Sequence, residues 1–389
     1  MSRICIIGPS KLFFSGISAC TICLANALLA NNDVSVVLLR RLLPRFLYPG
    51  RHHLDRNDYL FDFFSGVDVF DGMNWNDPLS WLKSYNFLRK QKPDILIVPW
   101  WTSSVAHMLL FLSFVSRLKK GRKLILDIHE IIDPLEQSIF SVRLYARIMG
   151  KLLMKSADVL VVHSRSVKSQ LIKIYGVNKD KVFVIPLGLF NTLHENNNKL
   201  AIKEELEIKE NLVILYFGII RKYKGLPYLV KAFNNLPNSV INSSRLMIIG
   251  EDWKEENDLE KMINSSPFKG HITYNPQFIP DAMILKYFSA ADVVVLPYLR
   301  TSGSAVANIA MTYGVPIITS DIATMRECLM DYEGAIFVPP ADYKAIAEKL
   351  FKIYSLTSSG KTESYNPPWN MWDEVAKHYE RLIESLYTK

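Results

Sequence analysis

The chain has 389 residues, 49% hydrophobic and 22% charged, a balance that suits two or three globular domains and excludes disordered, collagenous and low-complexity classes. Its four cysteines (Cys5, Cys20, Cys23, Cys328) are too few for a disulfide scaffold. The net charge of +8 is uneven: residues 1–190 hold 25 basic and 14 acidic residues, +11, whereas residues 191–389 hold 21 and 24, −3.

Short apolar runs alternate with helical patterns from the start. The first run, Ile4–Ile7, ends at Gly8-Pro9 and is too short for a secretory leader. Ser18–Leu29 reads as a helix with Cys20 and Cys23 buried on one face rather than as a metal or redox pair. Strands follow at Val34–Leu39, Asp94–Val98, Lys123–Ile128, Asp158–Val162 and Val182–Ile185, with a helix at Pro78–Lys90. They are continuous and β-branched, as strands covered on both faces should be. Between Ile95 and Ser116 no Asp, Glu, Lys or Arg occurs, but Pro99 and Thr102-Ser103-Ser104 break the run. A strand and a helix of about 13 residues are expected there, ~20 Å long and too short to span ~30 Å of hydrocarbon.

The asparagine-rich stretch Asn191–Asn198 reads as a linker. Beyond it, strands are expected at Val213–Phe217, Arg245–Ile249, Asp292–Leu296, Pro316–Thr319 and Ala335–Val338, and helices at Leu226–Asn235, Asp281–Phe288, Ala305–Tyr313 and Ala341–Tyr354. A last helix over Asn370–Leu386 follows Pro367-Pro368. The expected organisation is α/β: a Rossmann-like domain over 1–190, a second over 191–369, and a C-terminal helix over 370–389 that packs back toward the first. Two such domains would face a central cleft.

The sequence lacks several ligand-binding patterns. No Gly-x-Gly-x-x-Gly follows the first strand, and no P-loop is present. No Asp-x-Asp stands at a strand end to hold a divalent ion, so metal-independent chemistry without a cofactor is expected. Two runs carry candidate chemistry instead. In Phe217–Gly225, Gly218 permits a turn and close ligand approach, while Arg221 and Lys224 sit where a helix opens and suit a phosphate. In Leu296–Ser304, Ser302, Gly303 and Ser304 precede the helix beginning at Ala305, whose free N–H groups suit a diphosphate. A solvated basic turn and a merely capped helix are the plainer readings of the same residues.

Together these runs resemble the donor half of glycosyltransferase family 4: Gly-x-x-Arg-x-Tyr-Lys-Gly, Pro-Tyr with Ser-Gly-Ser, and Ala310–Thr319 occur in family order. Ala157–Ser164, Val182–Gly188 and Leu126–Glu130 resemble its first half. The resemblance implies a GT-B fold and retaining, metal-free transfer of a sugar from a UDP- or GDP-sugar. It implies that Arg221 and Lys224 neutralise the donor diphosphate and that His129 lies near the sugar. It places Gly16, Gly218, Gly225, Ser302, Gly303, Ser304, Ala305, Asn308 and Glu327 in donor binding. Thr301 and Ile309 stand where the family often has two glutamates, with Asn308 one residue from the second; Ile219 follows Gly218 in place of an arginine; Leu187 replaces the asparagine of a Pro-Asn-Gly turn.

The first half carries its charge among aromatics. Arg143, Arg147, Lys151 and Lys155 recur every four residues in the helical pattern Ile139–Lys155. Arg40 and Arg41, then Arg45, Arg51 and Arg56, surround Phe46, Leu47 and Tyr48, and Arg117–Lys123 adds five more basic residues. Such interleaving fits an anionic membrane surface, and no nucleic-acid motif accompanies it. The expected enzyme works peripherally at the cytoplasmic membrane face on a lipid-linked or other glycan acceptor. A transferase with a soluble acceptor, a nucleotide-sugar epimerase on the same fold, and a non-enzymatic peripheral membrane protein are the alternatives.

Overall fold

A computed structural model describes residues 1–12, 16–42, 61–131, 136, 139–190, 198–253, 257–360, 364–368 and 371–388. The chain forms two compact units, one holding the described residues up to Gly188 together with the closing helix, the other beginning at Leu189.

The first unit runs β1 (Arg3–Pro9), α1 (Gly16–Leu28), β2 (Asp33–Arg41), β3 (Asp68–Asn74), α2 (Pro78–Gln91), β4 (Ile95–Trp100), α3 (Ala106–Ser116), β5 (Lys123–Ile128), α4 (Phe140–Ser156), β6 (Val159–Val162), α5 (Arg165–Tyr175) and β7 (Val182–Val184). The second runs α6 (Lys199–Glu205), β8 (Leu212–Phe217), α7 (Leu226–Asn234), α8 (Asn238–Ile241), β9 (Ser244–Ile249), α9 (Asn257–Asn264), β10 (Ile272–Asn275), α10 (Asp281–Ala290), β11 (Val293–Leu296), α11 (Ala305–Thr312), β12 (Ile317–Ser320), α12 (Ala323–Cys328), β13 (Ala335–Val338) and α13 (Tyr343–Ser358). The closing helix α14 (Trp372–Ser385) belongs to the first unit.

Both sheets are parallel, ordered β3-β2-β1-β4-β5-β6-β7 and β10-β9-β8-β11-β12-β13. Each therefore reverses direction once, between β1 and β4 and between β8 and β11, the points at which such sheets bind ligands. Strand alternation divides the first core in two. Cys5, Ile7, Leu96 and Val98 pack with α3 and α4 on one face. Ile4, Ile6, Ile95 and Ile97 pack with α1 and α14 on the other. The closing helix docks through Val375, Ala376, Tyr379, Leu382 and Ile383, spaced as one face of a 3.6-residue helix. The apolar run from Ile95 is interrupted as its residues dictate: β4 ends at Trp100, Thr102 caps a short 3₁₀ turn, and α3 has only 11 residues. Among the described residues no helix is long and apolar enough to cross a membrane.

Two strands were not anticipated, β3 and β10. Both lie at sheet edges, where one side meets no further strand and burial is partial, so neither shows a continuous apolar run. The Asn191–Asn198 linker and Arg45, Arg51 and Arg56 fall outside the described residues, except Asn198, which caps α6 through the Leu200 N–H.

Candidate functional site

In the second unit the two loops at the sheet's reversal are the ones singled out by sequence. Gly218 follows β8 with φ +116, and a Cβ there would lie 3.3 Å from the Val306 side chain. Gly225 has φ +70, and a Cβ would lie 2.0 Å from the Pro297 carbonyl oxygen. The loop after β8 thus presses directly on the loop after β11, and Leu299 N–H donates to Tyr223 O at 2.8 Å across them.

Cations and aromatic rings interleave in this seam. The Arg221 guanidinium lies 4.9 Å from the Trp253 ring and 5.1 Å from Tyr223; Arg300 lies 5.2 Å from Tyr223 on its own account. Lys224 Nζ sits 3.7 Å above the Tyr298 ring. Such contacts contribute roughly 0.5–2 kcal/mol each and fix where a long side chain puts its charge. Burial pushes the Tyr298 hydroxyl far up, so the ring beneath Lys224 stays neutral. Arg221 is 4% exposed, hence desolvated, while Lys224 is half-buried.

Beside them Ser304 caps α11, its hydroxyl accepting from Ala307 N–H at 3.1 Å. The N–H groups of Ala305 and Val306 have no acceptor within the helix. Thr301, at the position of an expected carboxylate, closes its own loop by bonding Gly303. Ser302, Gly303 and Ala305 are half-buried. Asn308 is buried, its Oδ1 accepting from the Cys328 thiol at 3.7 Å, which ties α11 to α12. Glu327 is half-buried one residue earlier on α12. The structure thus brings Gly218, Arg221, Lys224, Gly225 and residues 302–305 together at one seam, with Asn308 turned inward.

In the first unit, Gly16 is the exposed first residue of α1. His129 follows β5, its N–H donating to Trp100 O at 2.9 Å. Because Ile128 faces Val162 in parallel register, His129 and His163 emerge side by side, with ring centroids 4.7 Å apart. Asp127 lies beneath both: its Oδ2 is 3.2 Å from His129 Nε2 and its Oδ1 3.3 Å from His163 Nε2. Burial would push the Asp127 carboxyl up, but the two imidazoles, with hydrogen bonds from His129 and Tyr379, outweigh it and hold it below the usual range. These residues line a cavity with Cys20, Pro99, Trp372 and Tyr379. Sequence reasoning named His129 alone; the signal available was a second histidine, His163, ending the next strand.

On α4 the basic residues Arg147, Lys151 and Lys155 are exposed and Arg143 half-buried, its guanidinium over Phe140. Exposed beside them is an apolar column, Phe140 (70%), Leu144 (48%), Ile148 (51%) and Leu152 (48%), also spaced by four.

Comparison with known proteins agrees with both units. Residues 14–189 match the family described as Glycosyltransferase Family 4, and residues 198–365 that described as Glycosyl transferases group 1. The capsular polysaccharide biosynthesis glycosyltransferase CapM of Staphylococcus aureus is 27% identical over 254 residues, 61% of this chain and 65% of that protein. The chain thus spans just under two thirds of that relative's length. Sucrose-phosphate synthase from Thermosynechococcus elongatus superposes with a TM-score of 0.73 at 17% identity, covering 100% of both chains. Anabaena HepE, solved in complex with UDP-glucose, superposes with a TM-score of 0.68 at 16% identity, covering 99% of this chain and 100% of its own.

Proposed function

Because this chain belongs to glycosyltransferase family 4 and has its GT-B fold, we propose that it transfers a sugar, with retention and without a metal, from a UDP- or GDP-sugar to a lipid-linked or membrane glycan acceptor. The observation that carries the reading is the seam of the second unit, where Arg221, Lys224 and the N-terminus of α11 meet at the sheet's reversal. A sugar leaving a diphosphate gains oxocarbenium character as the phosphate gains negative charge. Preorganised cations and N–H groups stabilise that leaving group, and a helix N-terminus favours the same charge. Attack by the acceptor on the leaving-group face, with a phosphate oxygen taking its proton, gives retention with no enzyme nucleophile. The arrangement suits a transferase whose usual glutamate positions hold Thr301 and Ile309.

The acceptor is proposed to lie at an anionic membrane on the cytoplasmic side. The support is the α4 face, where the column Phe140, Leu144, Ile148 and Leu152 stands exposed beside Arg147, Lys151 and Lys155. Each basic residue near such a surface contributes about 1 kcal/mol, and exposed charges are screened beyond ~8 Å at physiological salt. Two experiments test the function. Incubation with a panel of UDP- and GDP-sugars and a lipid-linked acceptor should give a glycosylated product with retained anomeric configuration; hydrolysis or epimerisation alone would contradict transfer. Cosedimentation with anionic liposomes should be lost on changing Arg143, Arg147, Lys151 and Lys155 to Gln and should weaken with salt. Wild-type protein left in the supernatant at low salt would favour a soluble acceptor.

A further inference from the structure

We propose that Asp127 and His163 are positioning residues that orient His129 for sugar transfer, and that the closing helix joins them through Tyr379. The proposal rests on the glycosyl-transfer reading and concerns residues of the first unit alone.

His163 Nδ1 lies 2.9 Å from the Ile185 carbonyl oxygen, and its Nε2 lies 3.3 Å from Asp127 Oδ1. Both facing atoms are acceptors when the carboxyl is ionised. A neutral imidazole carries one N–H and can serve one of them, leaving two lone pairs in contact at the other. His163 Nε2 and Asp127 Oδ1 are fully buried, and neither makes a hydrogen bond, with the other or with any further group, so the mismatch has no solvent to relieve it. Burial pushes the His163 imidazole below its usual range and the Asp127 charge opposes that. We place one further proton between Oδ1 and Nε2, where it satisfies both contacts. The remaining oxygen, Oδ2, then faces His129 Nε2 at 3.2 Å and takes its N–H, which leaves Nδ1 as the nitrogen open to a ligand. Tyr379 supplies a third donor to the carboxylate from α14. The titratable groups facing the cluster are Cys20 from α1, His129 after β5, His163 after β6 and Tyr379 from α14; among the described residues no Lys or Arg lines the cavity. Removing the carboxylate frees the His129 tautomer and leaves the His163 proton without its counter-ion.

The test compares Asp127→Asn, His163→Gln and Tyr379→Phe with His129→Ala and the Asp127→Asn/His129→Ala double variant. Asp127→Asn is expected to lower kcat roughly 10²-fold, as a misplaced reacting group does, with donor KM nearly unchanged. The Tyr379→Phe loss is roughly 10- to 150-fold, that of one hydrogen bond to a charged group. In the His129→Ala background, Asp127→Asn should add little, because the two act as one unit. The limb of the pH–rate profile that belongs to the imidazole network should move to lower pH in Asp127→Asn, since the charge favouring protonated imidazole is gone. Histidine ¹⁵N spectra should report the Nε2–H form of His129 in wild type and its loss in Asp127→Asn. Additive losses in the double variant, or a folded Asp127→Asn protein with wild-type kcat and pH profile, would overturn the proposal. So would a stoichiometric metal ion in the purified protein that Asp127→Asn loses, because a cation would then stand where the proton is placed. If wild type transfers no sugar from any donor, the parent reading fails, and the ¹⁵N spectra alone decide the geometry.

Discussion

Gly225→Ala puts the assembly of the donor seam to a direct test. The residue has φ +70 and ψ 22, in the left-handed region, which costs a non-glycine residue roughly 1–2 kcal/mol. The added Cβ would stand 2.0 Å from the Pro297 carbonyl oxygen and 3.1 Å from its carbon. That neighbour is backbone and cannot rotate away, so the loop after β11 has to shift, at an overpacking cost of about 1–3 kcal/mol more. Together the variant should lose about 2–5 kcal/mol. The shift also acts on the Leu299 N–H to Tyr223 O bond and on Tyr298, which carries Lys224 on its ring. Donor affinity should therefore fall together with stability. Differential scanning fluorimetry with and without nucleoside diphosphate reads both, and donor KM confirms the second. Gly270→Ala is the control: its Cβ would meet nothing within 4 Å and its φ is unstrained, so it should stay within about 0.5 kcal/mol. A Gly225→Ala protein with wild-type midpoint and donor KM would refute the close apposition of these loops.

Arg221→Ala and Lys224→Ala should each lose about 2–4 kcal/mol of transition-state stabilisation, roughly 30- to 1,000-fold in kcat, with the fold intact by circular dichroism; near-normal turnover in both would remove them from the leaving-group role. Chelation with EDTA should leave turnover unchanged, and loss restored by magnesium or manganese would contradict the metal-free mechanism. Burial of Asp94 opposes its ionisation, but hydrogen bonds from Arg3 (2.9 Å) and Lys119 (2.7 Å) prevail and hold the carboxyl at about 2. A depressed carboxyl contributes stability above its unfolded value near 4 and loses it as pH falls toward 2. Acid titration of wild type should show a small loss in that window, small because the pair is partly solvated, and Asp94→Asn should lack it.

Both sheets were legible because parallel strands covered on two faces leave continuous apolar runs, as Ile4–Ile7 and Leu212–Phe217 do. The edge strands β3 and β10 were not, since Asp68–Asn74 and Ile272–Asn275 are only partly buried and carry mixed residues. At the proposed donor seam the glycines and cations could be named from sequence, because a turn that needs positive φ and a cation at a strand end both leave marks in residue type. The seating of Arg221 on Trp253 could not: Trp253 follows β9 and reaches the loop only because β9 lies next to β8. The Asp127 cluster was hidden for the same reason. Asp127 and His163 are 36 residues apart in sequence and meet through the register of β5 and β6.

The two units also show why net charge and site charge must be argued separately. The second half of the chain is −3, yet Arg221, Lys222, Lys224 and Arg300 gather in two loops at one sheet reversal. The basic first half, +11, presents at its own reversal a cavity lined by a carboxylate and two imidazoles, while exposed cations stand elsewhere, Arg147, Lys151 and Lys155 on α4 among them. Bulk charge sets long-range attraction, and here the basic residues of α4 lie beside apolar side chains, the pairing on which the proposed membrane docking rests. Local chemistry depends instead on which groups the topology delivers to a strand end. At the proposed donor seam Arg221, Lys224 and Arg300 rest on the faces of Tyr223, Trp253 and Tyr298, and an aromatic face holds a cation in place without contributing a formal charge of its own. That is the electrostatic condition a diphosphate leaving group needs, and it arises in a half whose net charge alone would point the other way.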